Sequence, residues 1–378
     1  MKTYPIISRR RFIANAGLGL SASALGLSSC KPKTSGGGKP FSGQTLRVFV
    51  YSGAWEKGFN EHFVPLFEER TGAKVVVDPG WWDSIPKLKA SPPGQPAFDL
   101  VLTDATQGYP AIKEGMFQKL DMTKIPNREN FAASALDNWV VKDGYGITFP
   151  ESAMTLGYNK TFISAPPTGW GNLLKDEFTG KLGLYNSFYM SLYTFACIKA
   201  DSEGAAGTAA QQMKENLQGV IDFAKAQRDR VKLWWPTSTD MVLNLTQKNV
   251  AAGNMHSPDM LPALKSSADL GALVPEKDRA FVLLMWVLAA ETKVPDLAHE
   301  AINLLLSDEV QTGFARSGQA TASPKVAATV AAENDLWKSI YPSTPDQLAA
   351  VNYYPYDIYM SQWDDLVKVW DREILRKG

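Results

Sequence analysis

The chain has 378 residues, with 39 lysines and arginines balanced by 39 aspartates and glutamates, three histidines and two cysteines. Residues 1–29 hold Lys2, Arg9, Arg10 and Arg11 and no acid, so the remainder carries 35 basic against 39 acidic residues, a net charge of −4. A mildly acidic body without a basic cluster argues against nucleic acid as a partner; His62, His256 and His299 lack metal-site spacing, so no metal and no cofactor are expected.

The N-terminus comes first in chain order. Ser8-Arg9-Arg10-Arg11-Phe12-Ile13 precedes an uncharged Gly/Ala/Ser/Leu stretch over residues 14–27, the three-part layout of a signal peptide. That stretch is too short and too diluted by Gly17, Gly19 and Gly26 to stay in a bilayer. Ser8 to Ile13 resembles the twin-arginine export signal, with Ala14 where that pattern often has Lys. Leu27-Ser28-Ser29-Cys30 resembles the lipobox of bacterial lipoproteins. Residues 1–29 are therefore expected to be removed and Cys30 to carry a lipid. Residues 30–43 then form a flexible lipidated tether, and the mature protein sits in the periplasm or on the cell surface, anchored to a membrane. With Cys30 acylated, Cys197 has no intramolecular partner, and within Leu192 to Ile198 it reads as a small buried hydrophobe.

Residues 44–378 exceed what one hydrophobic core usually serves, so two lobes are expected. Thr45 to Tyr51 reads as a strand; a helix with Phe59, Phe63, Leu66 and Phe67 at helical spacing follows and stops at Gly72, and Lys74 to Val77 is a second strand. A helix over 82–90, a buried strand over 98–103 and a helix over 106–114 continue the alternation, which implies an α/β fold with ligand loops at the carboxyl ends of the strands. Extended segments over 145–150 and 154–160 lead into the second lobe. There a strand over 180–185, an aromatic-rich helix from Ser187, an amphipathic helix over 205–228 and a strand over 231–235 are expected. Thr237 to Asp240 caps a helix running to Asn249, and Asn254 to His256 ends another strand. Phe281 to Ala290 reads as a strand, Asp296 to Leu306 as a helix, and residues 351–377 as mostly a closing helix.

Several segments carry a resemblance. Thr71-Gly72, Phe98-Asp99-Leu100-Val101 and the run from Ile112 to Asp121 are followed by Gly157-Tyr158-Asn159-Lys160, Trp170-Gly171-Asn172-Leu173-Leu174, Phe178-Thr179-Gly180-Lys181-Leu182 and the run from Ala301 to Val310. In this order they resemble spermidine/putrescine-type periplasmic binding proteins, the solute-binding proteins of ABC importers. The resemblance implies a two-lobed periplasmic binding protein-like fold with a cleft between lobes joined by crossing segments. Lobe 1 would comprise 44–149 plus about 257–312, and lobe 2 would comprise 150–256 plus about 313–378. It implies binding rather than catalysis: capture of a small organic solute, a polyamine or another amine-like molecule, and delivery to a membrane permease and its ATPase. A monomer is expected, and tethering raises its effective concentration at the permease.

Candidate ligand residues are those at strand ends and helix starts. Trp55 follows the first strand and either stacks on a ligand or packs on its own helix. Asp104 either contacts the ligand or caps the next helix. Glu151, after Pro150 in the crossing segment, faces a cationic ligand or is an exposed hinge residue. Asn186 and Ser187 precede a helix whose free N–H groups favour an anionic or carbonyl group; polyamine binders have an acid-bearing stretch here, where this chain reads Tyr185 to Met190. Trp234 and Trp235 are expected to split between core and cleft, with Trp235, Ser238 and Asp240 as candidates at that turn. His256 and Asp259 complete the set, and Trp286 is assigned to the core. Aromatic faces with scattered acids suit an organic amine. Three other readings stay open: a ferric-ion carrier using Tyr353, Tyr354 and Tyr356; an exported cofactor enzyme, for which neither a GxGxxG after a strand nor a GxSxG elbow is present; and a purely structural surface lipoprotein, favoured if side chains fill the cleft.

Overall fold

Strand β1 (Thr45–Tyr51) is built from alternating buried residues, Leu46 and Val48 through Val50, and pairs in parallel with β2 (Lys74–Gly80) and β3 (Leu100–Asp104). This is a computed structural model describing residues 38–376, so the expected targeting segment, Cys30 and most of the tether lie outside the described residues. From Lys39 onward the chain forms one compact unit. Between β1 and β2 the helix is α-helical over Ala54–Gly58, widens to a π-helical turn over Phe59–Phe63, and resumes over Val64–Thr71. Phe59, Phe63 and Phe67 form a ladder with ring centroids 4.5 and 5.0 Å apart. Gly72 ends the helix in the left-handed conformation at φ 74°.

A short strand and a long one follow: β4 (Phe117–Gln118), then β5 (Gly146–Asn159), fourteen residues buried throughout. β5 belongs to both halves of the molecule. Its first part pairs antiparallel with β10 (Phe281–Ala289), which in turn pairs with β3 and β4. Its second part pairs antiparallel with β8 (Ala252–His256) and β9 (Leu270–Leu273). β8 continues in parallel to β6 (Leu182–Tyr185), and β6 to β7 (Val231–Trp235). The strand order is therefore β2-β1-β3-β10-β5-β8-β6-β7. The β5–β10 register shifts between Phe281 and Leu283, opposite the segment from Pro150 to Ala153. Pro150 has no N–H to give the ladder, and such irregularities bend a strand; the bend is where β5 passes from one sheet to the other.

The fold is thus α/β and two-lobed, as the sequence implies. The carboxyl ends of the parallel strands are Tyr51, Gly80 and Asp104 in the first sheet, and Tyr185, Trp235 and His256 in the second. Residues 257–273 stay with the second sheet, through the helix Ser257–Ser266 and β9.

Two expectations need correction. The amphipathic helix over 205–228 is two helices, Ala209–Glu215 and Leu217–Gln227, because Asn216 leaves the helical region and its side chain caps the second by accepting from the Gly219 N–H. The closing helix over 351–377 begins only at Tyr356, after Pro355; it is broken at Gln362 (φ −132°) and ends in a π-helical turn over Trp370–Ile374. Helices Asp308–Arg316, Pro324–Glu333, Asp335–Ile340 and Pro345–Ala349 fill a region the sequence reading left blank. No helix among the described residues is long and apolar enough to cross a membrane.

The second sheet is drawn together at a pair of glycines. Gly183 and Gly253 face each other in register, and a Cβ on Gly253 would lie 1.6 Å from the Gly183 carbonyl oxygen and 2.9 Å from Met241 Cε. Gly253→Ala is therefore expected to destabilise the protein by about 3 kcal/mol or more, read as a lowered midpoint in chemical denaturation; an unchanged midpoint would show that the strands are not so tightly apposed.

Candidate functional site

The strand ends of the two sheets converge on a pocket lined by aromatic rings and acidic side chains. Asp104 reaches it as the N-cap of the helix Ala105–Lys113. One carboxylate oxygen accepts the backbone N–H of Thr106 (2.7 Å) and the Thr106 hydroxyl; the other accepts the Tyr51 hydroxyl at 2.8 Å. Asp104 thus caps this helix and also lines the pocket.

Glu151 projects from the bend in β5 and is buried, with the Trp55 indole N–H donating to its carboxylate at 3.1 Å. Burial pushes its carboxyl up to about 8; the Asp259 and Asp104 carboxylates push the same way, and the Trp55 hydrogen bond opposes them. An exposed hinge it is not. Trp55 also packs, its ring lying 5.9 Å from Phe149, 6.3 Å from Trp286 and 5.3 Å from Phe314. Asp259, in the first turn of Ser257–Ser266, is pushed up to about 6 by burial, with the Ser238 hydroxyl holding it down. His256 lies between the Ser152 hydroxyl (3.0 Å) and the Tyr189 hydroxyl (3.4 Å), and burial lowers its imidazole to about 4, so it is neutral.

The opposite wall is aromatic. Trp81 and Trp82 follow β2 on one side of the cleft, and their indole N–H groups both donate to the Tyr185 hydroxyl, at the end of β6, at 3.3 and 3.2 Å. Tyr185 stands edge-on to Tyr189 (5.6 Å) and to His256 (5.9 Å). No lysine or arginine is among the lining residues.

Of the sequence candidates, Trp55, Asp104, Glu151, His256 and Asp259 come together here. The others do not line it. Asn186 and Ser187 line an adjoining cavity, with Phe188, Trp363 and Trp370, that shares Trp81, Trp82 and Tyr185 with this pocket. Trp235 is fully buried beneath the site, stacked on Tyr185 at 4.4 Å, and Trp234 packs on Trp370; neither lines the pocket, so the expected split between core and cleft does not occur. Ser238 is buried at the start of the helix Ser238–Thr246 and does not line the pocket. Asp240 accepts the Thr237 hydroxyl at 2.6 Å in the first turn of its helix. Trp286 is core, as expected. Tyr51, Trp81, Trp82, Tyr185 and Tyr189 were missed. Their shared signal was position: each ends a strand or starts the segment after one.

The tyrosines offered as ferric ligands are packing groups. Tyr354 lies against Tyr189 and Tyr193, and the Tyr356 hydroxyl accepts the Leu283 N–H at 3.2 Å. Burial pushes all three phenols up, away from the phenolate that iron needs.

Residues 64–338 match the family model described as bacterial extracellular solute-binding protein. Among curated relatives, the chain is 23% identical over 346 residues to the putrescine/cadaverine-binding protein of Pseudomonas aeruginosa, covering 86% of this chain and 94% of that one. It is also 23% identical over 305 residues to the spermidine/putrescine-binding periplasmic protein of Salmonella typhimurium, covering 78% and 83%. Among solved structures, the spermidine/putrescine ABC transporter substrate-binding protein PotD of Streptococcus pneumoniae superposes with a TM-score of 0.69 at 18% identity, covering 88% of this chain and all of that one. MotA of A. tumefaciens B6, in complex with glucopine, gives 0.73 at 13%, again over 88% and 100%. These superpositions speak for the fold.

The raised Glu151 carboxyl has a cost. Its folded value of about 8 exceeds the ordinary 4.5, so between those limits the folded state holds a proton that the unfolded state has lost, and stability falls as pH rises from about 4.5 to 8. Glu151→Gln should leave stability unchanged near pH 4 and raise it by roughly 2–4 kcal/mol near pH 8 in the ligand-free protein. Thermal denaturation across that range checks this; a gain independent of pH would contradict it.

Proposed function

The chain belongs to the bacterial extracellular solute-binding proteins, and on that premise we propose that it is the substrate-binding component of an ABC importer that captures a small polyamine-like organic amine in the cleft and hands it to a membrane permease. The observation that carries this reading is the lining itself: three acidic side chains, aromatic rings, a neutral histidine and no lysine or arginine. An ammonium group supplies the missing positive charge and lies favourably against indole and phenol faces. A carboxylate-bearing solute would meet like charge without an arginine or lysine to offset it. The polyamine-binding names of the relatives point the same way.

The N-terminal segment fits this role. We assign residues 1–29 to export and Cys30 to lipidation, with the following residues as the tether. Cys30→Ser should move the protein from the detergent phase to the aqueous phase and remove the mass of the acyl chains from the mature protein. Identical partitioning of both forms would refute the anchor.

The protonated Glu151 gives the binding reaction a pH signature. A bound cation favours the carboxylate, so the acid must release its proton when an amine binds. Affinity for a simple diamine should rise by more than about ten-fold between pH 6 and pH 8. Calorimetry at pH 7 in buffers of different ionisation enthalpy should show proton release of up to one equivalent. Absence of any thermal shift across a panel of diamines and polyamines would sink the amine reading.

A further inference from the structure

The Tyr185 hydroxyl has an unfinished hydrogen-bond account. A phenol oxygen has one proton to give and accepts at most two hydrogen bonds. Both acceptances are taken, by the indole N–H groups of Trp81 and Trp82. The proton must therefore be donated, yet none of the described residues accepts it. The contrast with Tyr51 is direct: that hydroxyl donates to the Asp104 carboxylate at 2.8 Å and accepts the Asp104 backbone N–H at 3.1 Å, so it is spent. Tyr185 is 2% exposed, so bulk water does not readily complete the account. A buried donor without an acceptor is unfavourable, and it becomes favourable as soon as an acceptor is delivered.

The ring of Tyr185 is also fixed. Trp235 stacks on it at 4.4 Å, Tyr189 meets it edge-on, and the two indoles hold the oxygen from across the cleft. A donor held this way discriminates between ligands that differ only in having an acceptor at the right place, because the mismatch cannot relax. The Asp104, Glu151 and Asp259 carboxylates share the pocket, so a neutral acceptor suits it better than an anionic one.

Resting on the reading of this cleft as an amine site, we propose that Tyr185 is a specificity-determining residue that selects amines carrying a neutral oxygen acceptor, an ether, hydroxyl or amide, in addition to the cationic nitrogen. Plain diamines then satisfy the carboxylates but leave the phenol proton unmatched.

The test compares isosteres within one protein, so that any general effect on cleft closure cancels. Calorimetric affinities are measured for 1,5-diaminopentane and for bis(2-aminoethyl) ether, in which an oxygen replaces the central methylene. Amino alcohols with the hydroxyl at successive positions, and their carbon isosteres, complete the series. The wild-type protein should favour at least one oxygen-bearing member over its isostere by about ten-fold. Tyr185→Phe should abolish that ratio, whereas Trp82→Phe, which keeps the phenol, should retain it even if both affinities fall. If diamines bind but no oxygen-bearing member gains, or if Tyr185→Phe keeps the ratio, Tyr185 does not select the solute. If no amine of either kind binds, the amine reading falls and takes this inference with it.

Discussion

A carboxyl group buried at the bend of the one strand shared by both sheets is the constraint around which this structure is organised. β5 contributes its first part to the sheet of β1, β3 and β10 and its second part to that of β6 and β8, and Glu151 lies at the passage between them. A group there cannot move without moving the junction of the lobes. Its surroundings withhold the solvation an ionised acid needs and offer one indole N–H in return. The cleft therefore exists in an electrostatically incomplete state, and the rest of its architecture reads as the means of completing it.

That architecture comes from topology. In each sheet the parallel strands end toward the cleft, which brings Tyr51 and Asp104 from one side and Tyr185 and His256 from the other onto a single cavity. Open α/β sheets place their ligands at the carboxyl ends of strands. The aromatic packing beneath, with Trp55 wedged among Phe149, Trp286 and Phe314 and Trp235 under Tyr185, fixes the lining groups from behind.

This explains what was legible in the sequence. Asp104, Glu151, His256 and Asp259 follow strand signals that local patterning reveals, so position alone nominated them. Trp81 and Trp82 did not stand out, because β2 runs on through Pro79 and Gly80, residues that normally end a strand. Their partner lies 103 and 104 residues away, a distance no local pattern spans. Trp235 was nominated by the same positional logic and fell behind the pocket, stacked under Tyr185, since alternate residues at a strand end point to opposite faces. The helix break at Asn216 was hidden in an otherwise amphipathic run, where a capping side chain overrides periodicity.

Two kinds of interaction bridge the cleft, and their magnitudes differ in kind. The indole–phenol hydrogen bonds from Trp81 and Trp82 to Tyr185 are neutral, each worth on the order of 1 kcal/mol net. The charge state of Glu151 and Asp259 shifts the balance by more, since burial has moved each carboxyl up by two or more pH units and one unit corresponds to about 1.4 kcal/mol. The balance in the cleft is thus governed by how the acids are neutralised, with the indole–phenol hydrogen bonds adding geometry rather than strength. A proton on Glu151 achieves this in the empty cleft and the proposed ammonium in the filled one. Solute and proton then compete for the same Glu151 carboxylate, so the proton that the empty cleft holds there is the one an arriving cation displaces.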